Sequence, residues 1–233
     1  MTTIKGIRNL LFDQGGVIVD IERDRCLDEL RQLGMEAPER LIGLYKQDGP
    51  FFALENGDIT IEEFHDALRP LMPAGVTDEQ MDHAFSSFIV GIPLHRLQSL
   101  RELRKRYRTY ILSNTNPLMF EGVIAQAFAQ EGFNVNAYFD GVTVSYLAHS
   151  NKPDRKIFDY AIATMGIKPE ETLFFDDGQE NLDAAAALGF KTALVKPGCE
   201  FIDIINQLES SPSKIDQWSK SSPSKIEGVG GGV

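Results

Sequence analysis

The alternation of apolar runs with amphipathic stretches predicts a chain in which strands alternate with helices. Short apolar runs predict strands at 8–13, 109–112, 141–145, 172–175 and 191–195. Apolar residues at helical spacing predict helices between these strands, at 94–103, 118–131, 154–165 and 180–188. Strands and helices that alternate at this length build βαβ units with right-handed crossovers. The pattern therefore predicts an α/β fold with a doubly wound parallel sheet.

The stretch 18–92 interrupts this rhythm, because it contains helical patterns and no strand pattern. Helices are predicted at 22–33, 38–47, 60–68 and 77–90, with a loop at 48–52 that Gly and Pro interrupt. Thr60 and Glu63 have the spacing of a capping box, which supports a helix start at Thr60. We therefore expect residues 18–92 to form an all-helical cap domain, inserted into a core made of residues 1–17 and 93–208.

The end of the chain has a different composition. The segment SSPSKI occurs at 210–215 and again at 221–226, and the last residues are rich in Gly. Ser, Pro, Lys and Gly bury too little apolar area to fold. Residues 209–233 are therefore predicted to be a low-complexity, disordered tail.

Charge and cysteine content limit the classes of partner. A formal net charge of −11 over 233 residues argues against nucleic acid, which requires clustered Lys and Arg. Cys26 and Cys199 lie far apart and no zinc-ligand spacing is present, which favours reduced thiols in the cytoplasm. No signal peptide and no apolar segment of membrane-spanning length is found, so no membrane partner is expected. We expect a monomer or a weak homodimer.

Polar residues follow three of the predicted strands at the point where each strand ends. Asp13 follows the first strand, Ser113 follows the second, and the pair Asp176 and Asp177 follows the fourth. The carboxyl ends of parallel strands lie at one edge of a sheet, where open α/β folds place their chemistry. Lys152, just before the helix at 154, belongs to the same edge.

These side chains together have the chemistry of a phosphate site. Three clustered carboxylates repel one another unless a cation neutralises them. Ligands that are all oxygen select a hard ion, and Mg²⁺ commonly takes a substrate phosphate oxygen as well. Lys152 would add a second positive charge for the phosphate, and Ser113 would donate a neutral hydrogen bond. One carboxylate remains available as a nucleophile.

Four segments in this order resemble the motifs of the haloacid dehalogenase superfamily, over residues 6 to 197. They are FDQGGV at 12–17, ILSNTN at 111–116, NKPDRKIF at 151–158 and FFDDGQEN at 174–181. A helical cap between the first two motifs is similar to the first subfamily. The motifs look most like those of its small sugar-phosphate phosphatases, including bacterial α-glucose-1-phosphate phosphatases. The resemblance implies a Rossmann-like core and a phosphatase that depends on Mg²⁺.

The resemblance also implies roles for individual residues. Asp13 would be the nucleophile that becomes an aspartyl-phosphate, and Lys152 would hold both the nucleophile and the phosphate. Ser113 and Asn114 would bind the phosphoryl group. The implied metal ligands are Asp13, the backbone carbonyl of Gly15, Asp177, and Asp176 directly or through water.

Gly15 departs from the family pattern, in which the second residue after the nucleophile is an Asp. Gly15 keeps the carbonyl that binds the metal and lacks the acid, and general acid–base help is worth about 10²–10⁴-fold in rate. Three interpretations follow. In the first, the substrates have easy leaving groups, such as sugar 1-phosphates or acyl phosphates. Alternatively, another group, such as His149, replaces the acid, or the protein binds phosphorylated ligands with little turnover.

The first interpretation leads to a Mg²⁺-dependent phosphatase that acts on a small phosphorylated metabolite, with a sugar phosphate as the first choice. The alternative is a catalytically weak or inactive sugar-phosphate-binding or regulatory protein on the same fold. Loops near 20–23 and 48–52 are expected to close over the crevice and carry specificity.

Overall fold

A computed structural model describes residues 3–43 and 47–210. Its centre is a parallel sheet of five strands: β1 (Asn9–Phe12), β4 (Arg108–Ser113), β5 (Gly141–Val144), β6 (Thr172–Asp176) and β7 (Lys191–Leu194). Two short strands, β2 (Asp20–Ile21) and β3 (Ile89–Gly91), pair with each other elsewhere. The order across the large sheet is β5-β4-β1-β6-β7. The predicted α/β fold with a doubly wound parallel sheet is confirmed.

Helices cover both faces of this sheet and form the segment that precedes β3. Their bounds are α1 (Arg23–Gln32), α2 (Gly49–Glu55), α3 (Ile61–Leu68), α4 (Asp78–Ser86), α5 (Leu94–Leu103), α6 (Ala125–Phe128), α7 (Ser145–Ala148), α8 (Arg155–Met165), α9 (Gln179–Ala187) and α10 (Phe201–Ser210). A π-helical segment, Leu118–Ile124, leads into α6. None of the described helices has both the length and the apolar character needed to cross a membrane.

The first strand is central because all four of its side chains are almost completely buried. Leu10 and Phe12 face one core cluster, whereas Leu11 faces the other, as alternation along a strand requires. The Phe12 ring stacks on Phe175 with centroids 5.0 Å apart, and Phe201 of α10 contacts it edge-on at 5.1 Å. This packing fixes the end of β1, and with it the position of the next residue, Asp13.

The helices between β2 and β3 have an aromatic centre of their own. Phe51 of α2 lies 5.2 Å from the Phe64 ring and 4.7 Å from the Phe85 ring, measured between centroids. The predicted capping box is present at the start of α3, where Thr60 and Glu63 exchange hydrogen bonds between side chain and backbone. The tight aromatic packing holds α2 in place, and α2 ends beside the carboxyl edge of the large sheet.

Several predictions for the stretch 18–92 are wrong in detail. The pair β2–β3 was not expected, because strands of two and three residues are too short to show a period. The helix predicted at 38–47 is a single 3₁₀ turn at Pro38–Arg40 in its described part. The loop predicted at 48–52 is instead the start of α2, since Asp48 caps the helix and Pro50 occupies its first turn, where Pro is well tolerated.

The predicted tail begins too early. Helix α10 extends to Ser210, and Glu209 accepts a hydrogen bond from the Tyr107 hydroxyl at 2.7 Å. The remainder of the predicted disordered tail, 211–233, lies outside the described residues.

Candidate active site

The carboxyl ends of three neighbouring strands bring three predicted side chains together. Strand β1 lies between β4 and β6, with Phe12 in register with Ile111 on one side and Phe175 on the other. Asp13 therefore emerges between Ser113 and Asp176. Along the chain, β4 and β5 are added on one side of β1, and β6 and β7 are then added on the other side. This reversal makes the edge at β1 the topological switch point of the sheet.

Lys152 lies between two carboxylates at the base of this crevice. Its Nζ is 2.8 Å from Oδ1 of Asp13 and 2.6 Å from Oδ2 of Asp176. The Lys152 side chain is 1% exposed, so these charges interact with little solvent screening. The backbone N–H of Gln14 donates a second hydrogen bond to Oδ1 of Asp13, at 2.6 Å. Two donors on one oxygen fix the orientation of the Asp13 carboxylate.

Asp176 is held on its other side as well. Its Oδ1 accepts hydrogen bonds from the backbone N–H of Gly178 at 2.8 Å and from Nδ2 of Asn181 at 2.9 Å. Together with Lys152 these donors satisfy a carboxylate that is fully buried. Asp176 is thus held in one orientation and is itself closed off from solvent.

The cluster holds more negative charge than Lys152 alone balances. Burial raises the pKa of Asp13 well above its ordinary value, and repulsion from Asp176 and Asp177 adds to that effect. Burial, followed by repulsion from Asp176, raises the pKa of Asp177 to about 6. Burial would lower the pKa of Lys152, but the two adjacent carboxylates raise it above its usual range. Lys152 is therefore charged, and a further cation would stabilise the carboxylates.

The three carboxylates have the arrangement of a metal centre. One oxygen from each of Asp13, Asp176 and Asp177 lies within 4.8 Å of the others. The backbone approaches them closely at Gly16, where a Cβ atom would lie 2.4 Å from Oδ2 of Asp177. A set of carboxylate oxygens beside backbone suits Mg²⁺, which prefers hard oxygen ligands.

Ser113 and Asn114 lie on the opposite side of the crevice. Ser113 is buried, and its Oγ is 3.3 Å from the Asn114 carbonyl oxygen. The Asn114 side chain bonds the main chain of Lys152 twice, accepting from its N–H at 2.7 Å and donating to its carbonyl at 3.0 Å. The amide of Asn114 therefore orients Lys152.

A cavity of about 880 Å³ opens above this cluster. Predicted site residues in its wall are Asp13, Gly15, Ser113, Asn114, Lys152 and Asp177. Two buried polar atoms of the wall, Nε2 of Gln14 and Oδ1 of Asn151, have no hydrogen-bond partner among the described residues. Such groups are expected to bond a ligand or water. The cavity is thus large and polar enough for a small phosphorylated metabolite.

The roof of the cavity comes from the segment 18–92, and it contains residues that the sequence analysis missed. Ile21 and Phe52, from the two loops expected to close over the crevice, line the cavity together with Glu55 and Asn56. These residues were missed because α2 was not predicted. With residues 48–52 interpreted as a loop, nothing in the sequence indicated that Glu55 ends a helix that faces the sheet.

His149 does not reach this cavity. Its side chain is exposed, its backbone adopts a left-handed conformation with φ of 47°, and it is absent from the described cavity wall. The proposal that His149 replaces the missing acid is therefore wrong: its short helix, α7, ends by turning the residue toward solvent.

Comparisons with known proteins agree with this geometry. A family model of haloacid dehalogenase-like hydrolases matches residues 7–189. The chain is 36% identical over 195 residues to D-ribitol-5-phosphate phosphatase of Bacteroides thetaiotaomicron, an alignment that covers 84% of this chain and 95% of that protein.

Two solved structures have the same architecture. A wild-type HAD family enzyme of Bacteroides thetaiotaomicron, in complex with magnesium and inorganic phosphate, superposes with a TM-score of 0.80 at 38% identity and covers 85% of this chain and 98% of its own. A predicted HAD-like family hydrolase of Porphyromonas gingivalis superposes with a TM-score of 0.80 at 34% identity, over 87% of this chain and 97% of its own.

Proposed function

Because this chain belongs to the haloacid dehalogenase-like hydrolases, we propose that it is a Mg²⁺-dependent phosphatase of a small phosphorylated metabolite. The observation that carries this proposal is the buried cluster in which Lys152 bridges Asp13 and Asp176, with Asp177 beside them. Hydrolysis would proceed through an aspartyl-phosphate on Asp13. The alternative of an inactive binding protein is less favoured, because the cluster has a complete nucleophile, cation and carboxylate set.

The residues present fit a magnesium ion. Asp13, Asp176 and Asp177 offer carboxylate oxygens, and Gly15 on the same wall offers a backbone carbonyl. Burial, with repulsion from the neighbouring carboxylates, raises the pKa values of Asp13 and Asp177, so a bound cation would stabilise their charged forms. When bound, Mg²⁺ neutralises these carboxylates and withdraws charge from the phosphoryl oxygens.

The side chains of this chain then have distinct tasks. Asp13 attacks phosphorus, and its orientation is fixed by Lys152 and by the N–H of Gln14. Lys152 stabilises the negative charge of the phosphoryl oxygens while it holds Asp13 in place. Ser113 donates its hydroxyl hydrogen bond to a phosphoryl oxygen, and the Asn114 amide keeps Lys152 oriented. A water molecule subsequently hydrolyses the aspartyl-phosphate and releases inorganic phosphate.

We place the substrate among sugar and polyol phosphates. The named relative acts on D-ribitol 5-phosphate, and the amides of Gln14 and Asn151 in the cavity wall suit hydroxyl groups. A sugar 1-phosphate, favoured by the sequence analysis, belongs to the same class. Residues 18–92 would act as a cap that excludes water from the cavity.

A metabolite panel tests this function. We expect phosphate release from ribitol 5-phosphate, pentose 5-phosphates or glucose 1-phosphate in the presence of Mg²⁺, and none after chelation. Asp13→Asn is expected to abolish turnover while the protein still folds. Turnover that survives Asp13→Asn, or wild-type protein that hydrolyses no phosphate ester, would contradict the proposal.

The remaining expectations concern the setting of the enzyme. We propose a cytoplasmic protein that is a monomer or a weak homodimer and that has neither nucleic acid nor membrane as a partner. Cys26 and Cys199 are both free thiols, which supports a reducing compartment.

A further inference from the structure

Glu55 is a buried acid on the cap side of the cavity that the phosphoryl-transfer steps above do not use. It is the last residue of α2, it is 8% exposed, and it lines the cavity. Within the described part of the chain, its carboxylate forms neither a hydrogen bond nor an ion pair. A carboxylate that is this buried and unpaired is costly, so it indicates a function at the cavity.

The main chain around Glu55 is fixed to the loops that carry the catalytic motifs. The Glu55 carbonyl accepts a hydrogen bond from Oγ of Ser145 at 2.6 Å, and the same oxygen atom of Ser145 accepts from the N–H of Thr115 at 2.9 Å. Asn56 accepts a hydrogen bond from Asn151 at 3.0 Å. Thr115 follows Ser113 by two positions and Asn151 precedes Lys152, so Glu55 is anchored to both sides of the phosphate site.

The chemistry requires an acid that position 15 does not supply. The alkoxide of a sugar or polyol is a poor leaving group unless it is protonated as it departs. The other charged residues of the cavity wall are Asp13, Lys152, Asp154, Asp177 and Glu180. Asp13, Lys152 and Asp177 already have roles, and the other two carboxylates are exposed. Glu55 is the buried acid of the described wall that remains uncommitted.

The environment of Glu55 suits proton exchange at neutral pH. Burial raises the pKa of Glu55 to about 7, against an opposing attraction from Lys152. The elements that pack against α2 include α3, α7 and α4, whose Phe85 contacts Phe51 of α2. On α4, Glu79 and His83 are exposed and Asp78 is bonded to Arg69. On α3, Glu62, Glu63 and Asp66 are exposed and His65 is bonded to Asp82, while on α7 Tyr146 is bonded to Glu121. A group that titrates near the working pH is an effective general acid and base.

We propose that Glu55 gives a proton to the departing alkoxide oxygen and later takes one from the attacking water. This inference rests on the proposed phosphatase function. In the first step the Asp13–phosphorus bond forms, the phosphorus–oxygen bond to the sugar breaks, and the Glu55 proton passes to the sugar oxygen. In the second step water oxygen bonds phosphorus, the bond to Asp13 breaks, and the water proton returns to Glu55.

Substrates with different leaving groups test this role in the Glu55→Gln variant. With ribitol 5-phosphate, we expect kcat/KM to fall about 10²–10⁴-fold, because the alkoxide is no longer protonated. With p-nitrophenyl phosphate, kcat/KM should change little, because p-nitrophenolate leaves without a proton. The kcat of the variant for p-nitrophenyl phosphate should fall, because water then attacks the aspartyl-phosphate without a base. A burst of p-nitrophenol should therefore precede the steady state, as aspartyl-phosphate accumulates.

Matched variants separate this role from others. Glu62→Gln replaces an exposed glutamate of α3 and should leave both substrates unaffected. Glu55→Asp keeps the acid and should retain part of the ribitol 5-phosphate activity. Thermal unfolding with and without Mg²⁺ verifies that each variant folds.

The outcomes distinguish the two proposals. An equal loss on both substrates would assign Glu55 to binding or structure and overturn the inference, as would unchanged kinetics. Wild-type protein without turnover on any phosphate ester would refute the phosphatase function itself, and the inference with it.

Discussion

The Nζ atom of Lys152 lies 2.8 Å from Oδ1 of Asp13, and both side chains are buried. The same ammonium group lies 2.6 Å from Asp176, so one lysine separates two carboxylates that would otherwise repel each other. The Asn114 side chain bonds both the N–H and the carbonyl of Lys152. The position of Lys152 between the two carboxylates is therefore fixed through its main chain as well as its side chain.

Lys152→Gln is expected to lower kcat by at least about 10²-fold at saturating Mg²⁺, the usual cost of one preorganised donor. The amide fills similar volume but cannot neutralise the phosphoryl oxygens or hold Asp13 against repulsion. Steady-state kinetics on the best substrate measure the loss. Lys156→Gln, an exposed lysine four residues later, is the control and should retain wild-type kcat. A Lys152→Gln enzyme with normal kcat would contradict the role given to this ammonium group.

Gly16→Ala is expected to weaken Mg²⁺ binding. The new Cβ atom would lie 2.4 Å from Oδ2 of Asp177 and must displace that carboxylate. Loss of the correct orientation of a metal ligand commonly costs about 10–100-fold in metal affinity, and the Mg²⁺ concentration for half-maximal activity should rise by that factor.

Gly132→Ala provides the matched control for Gly16→Ala. Gly132 has φ of +78°, close to the +71° of Gly16, but a Cβ atom there would meet nothing within 4 Å. Both variants therefore introduce similar backbone strain, and only Gly16→Ala disturbs Asp177. Equal Mg²⁺ titrations of the two variants would show that strain, and not the contact with Asp177, causes any effect.

Gly57→Ala is expected to shift the cap helix α2 away from the core. Gly57 has φ of +74°, and a Cβ atom would lie 2.1 Å from the carbonyl oxygen of Tyr146. The shift would move Glu55 and Asn56 from their anchors on Ser145 and Asn151, and displacement of about 1 Å can cost about 10²-fold in rate. kcat/KM for ribitol 5-phosphate measures the effect. Gly75→Ala, with φ of +96° and open space around it, should be far less harmful.

The core of the site was predictable because its residues lie at strand ends. Asp13, Ser113 and Asp176 each follow a buried apolar run, and parallel strands bring such ends to one edge. The individual roles given to these residues remain predictions. The parallel sheet followed from the same runs, since each strand is short, continuous and bounded by polar residues.

The cap side was less predictable because local signals there are ambiguous. Pro50 suggests the end of a helix, but it occupies the first turn of α2, where its N–H would have no intrahelical partner. The strands β2 and β3 are defined by pairing between Asp20 and Gly91, residues far apart in sequence. The position of Glu55 at the cavity therefore depends on tertiary packing, which the periodicity of the sequence does not predict.

Glu55 also predicts how stability depends on pH. Burial raises its pKa from 4.5 to about 7, so the folded protein retains a proton that the unfolded chain releases. This stabilisation is fully present below pH 4.5 and is lost as the pH rises to about 7, a difference of about 3 kcal/mol in the free energy of unfolding. Glu55→Gln removes it, so relative to wild type the variant should gain stability between pH 5 and pH 8. Urea unfolding in a metal chelator measures the difference, and Asp13 and Asp177 contribute equally to both proteins. Parallel pH profiles of the two proteins would show that Glu55 does not hold this proton.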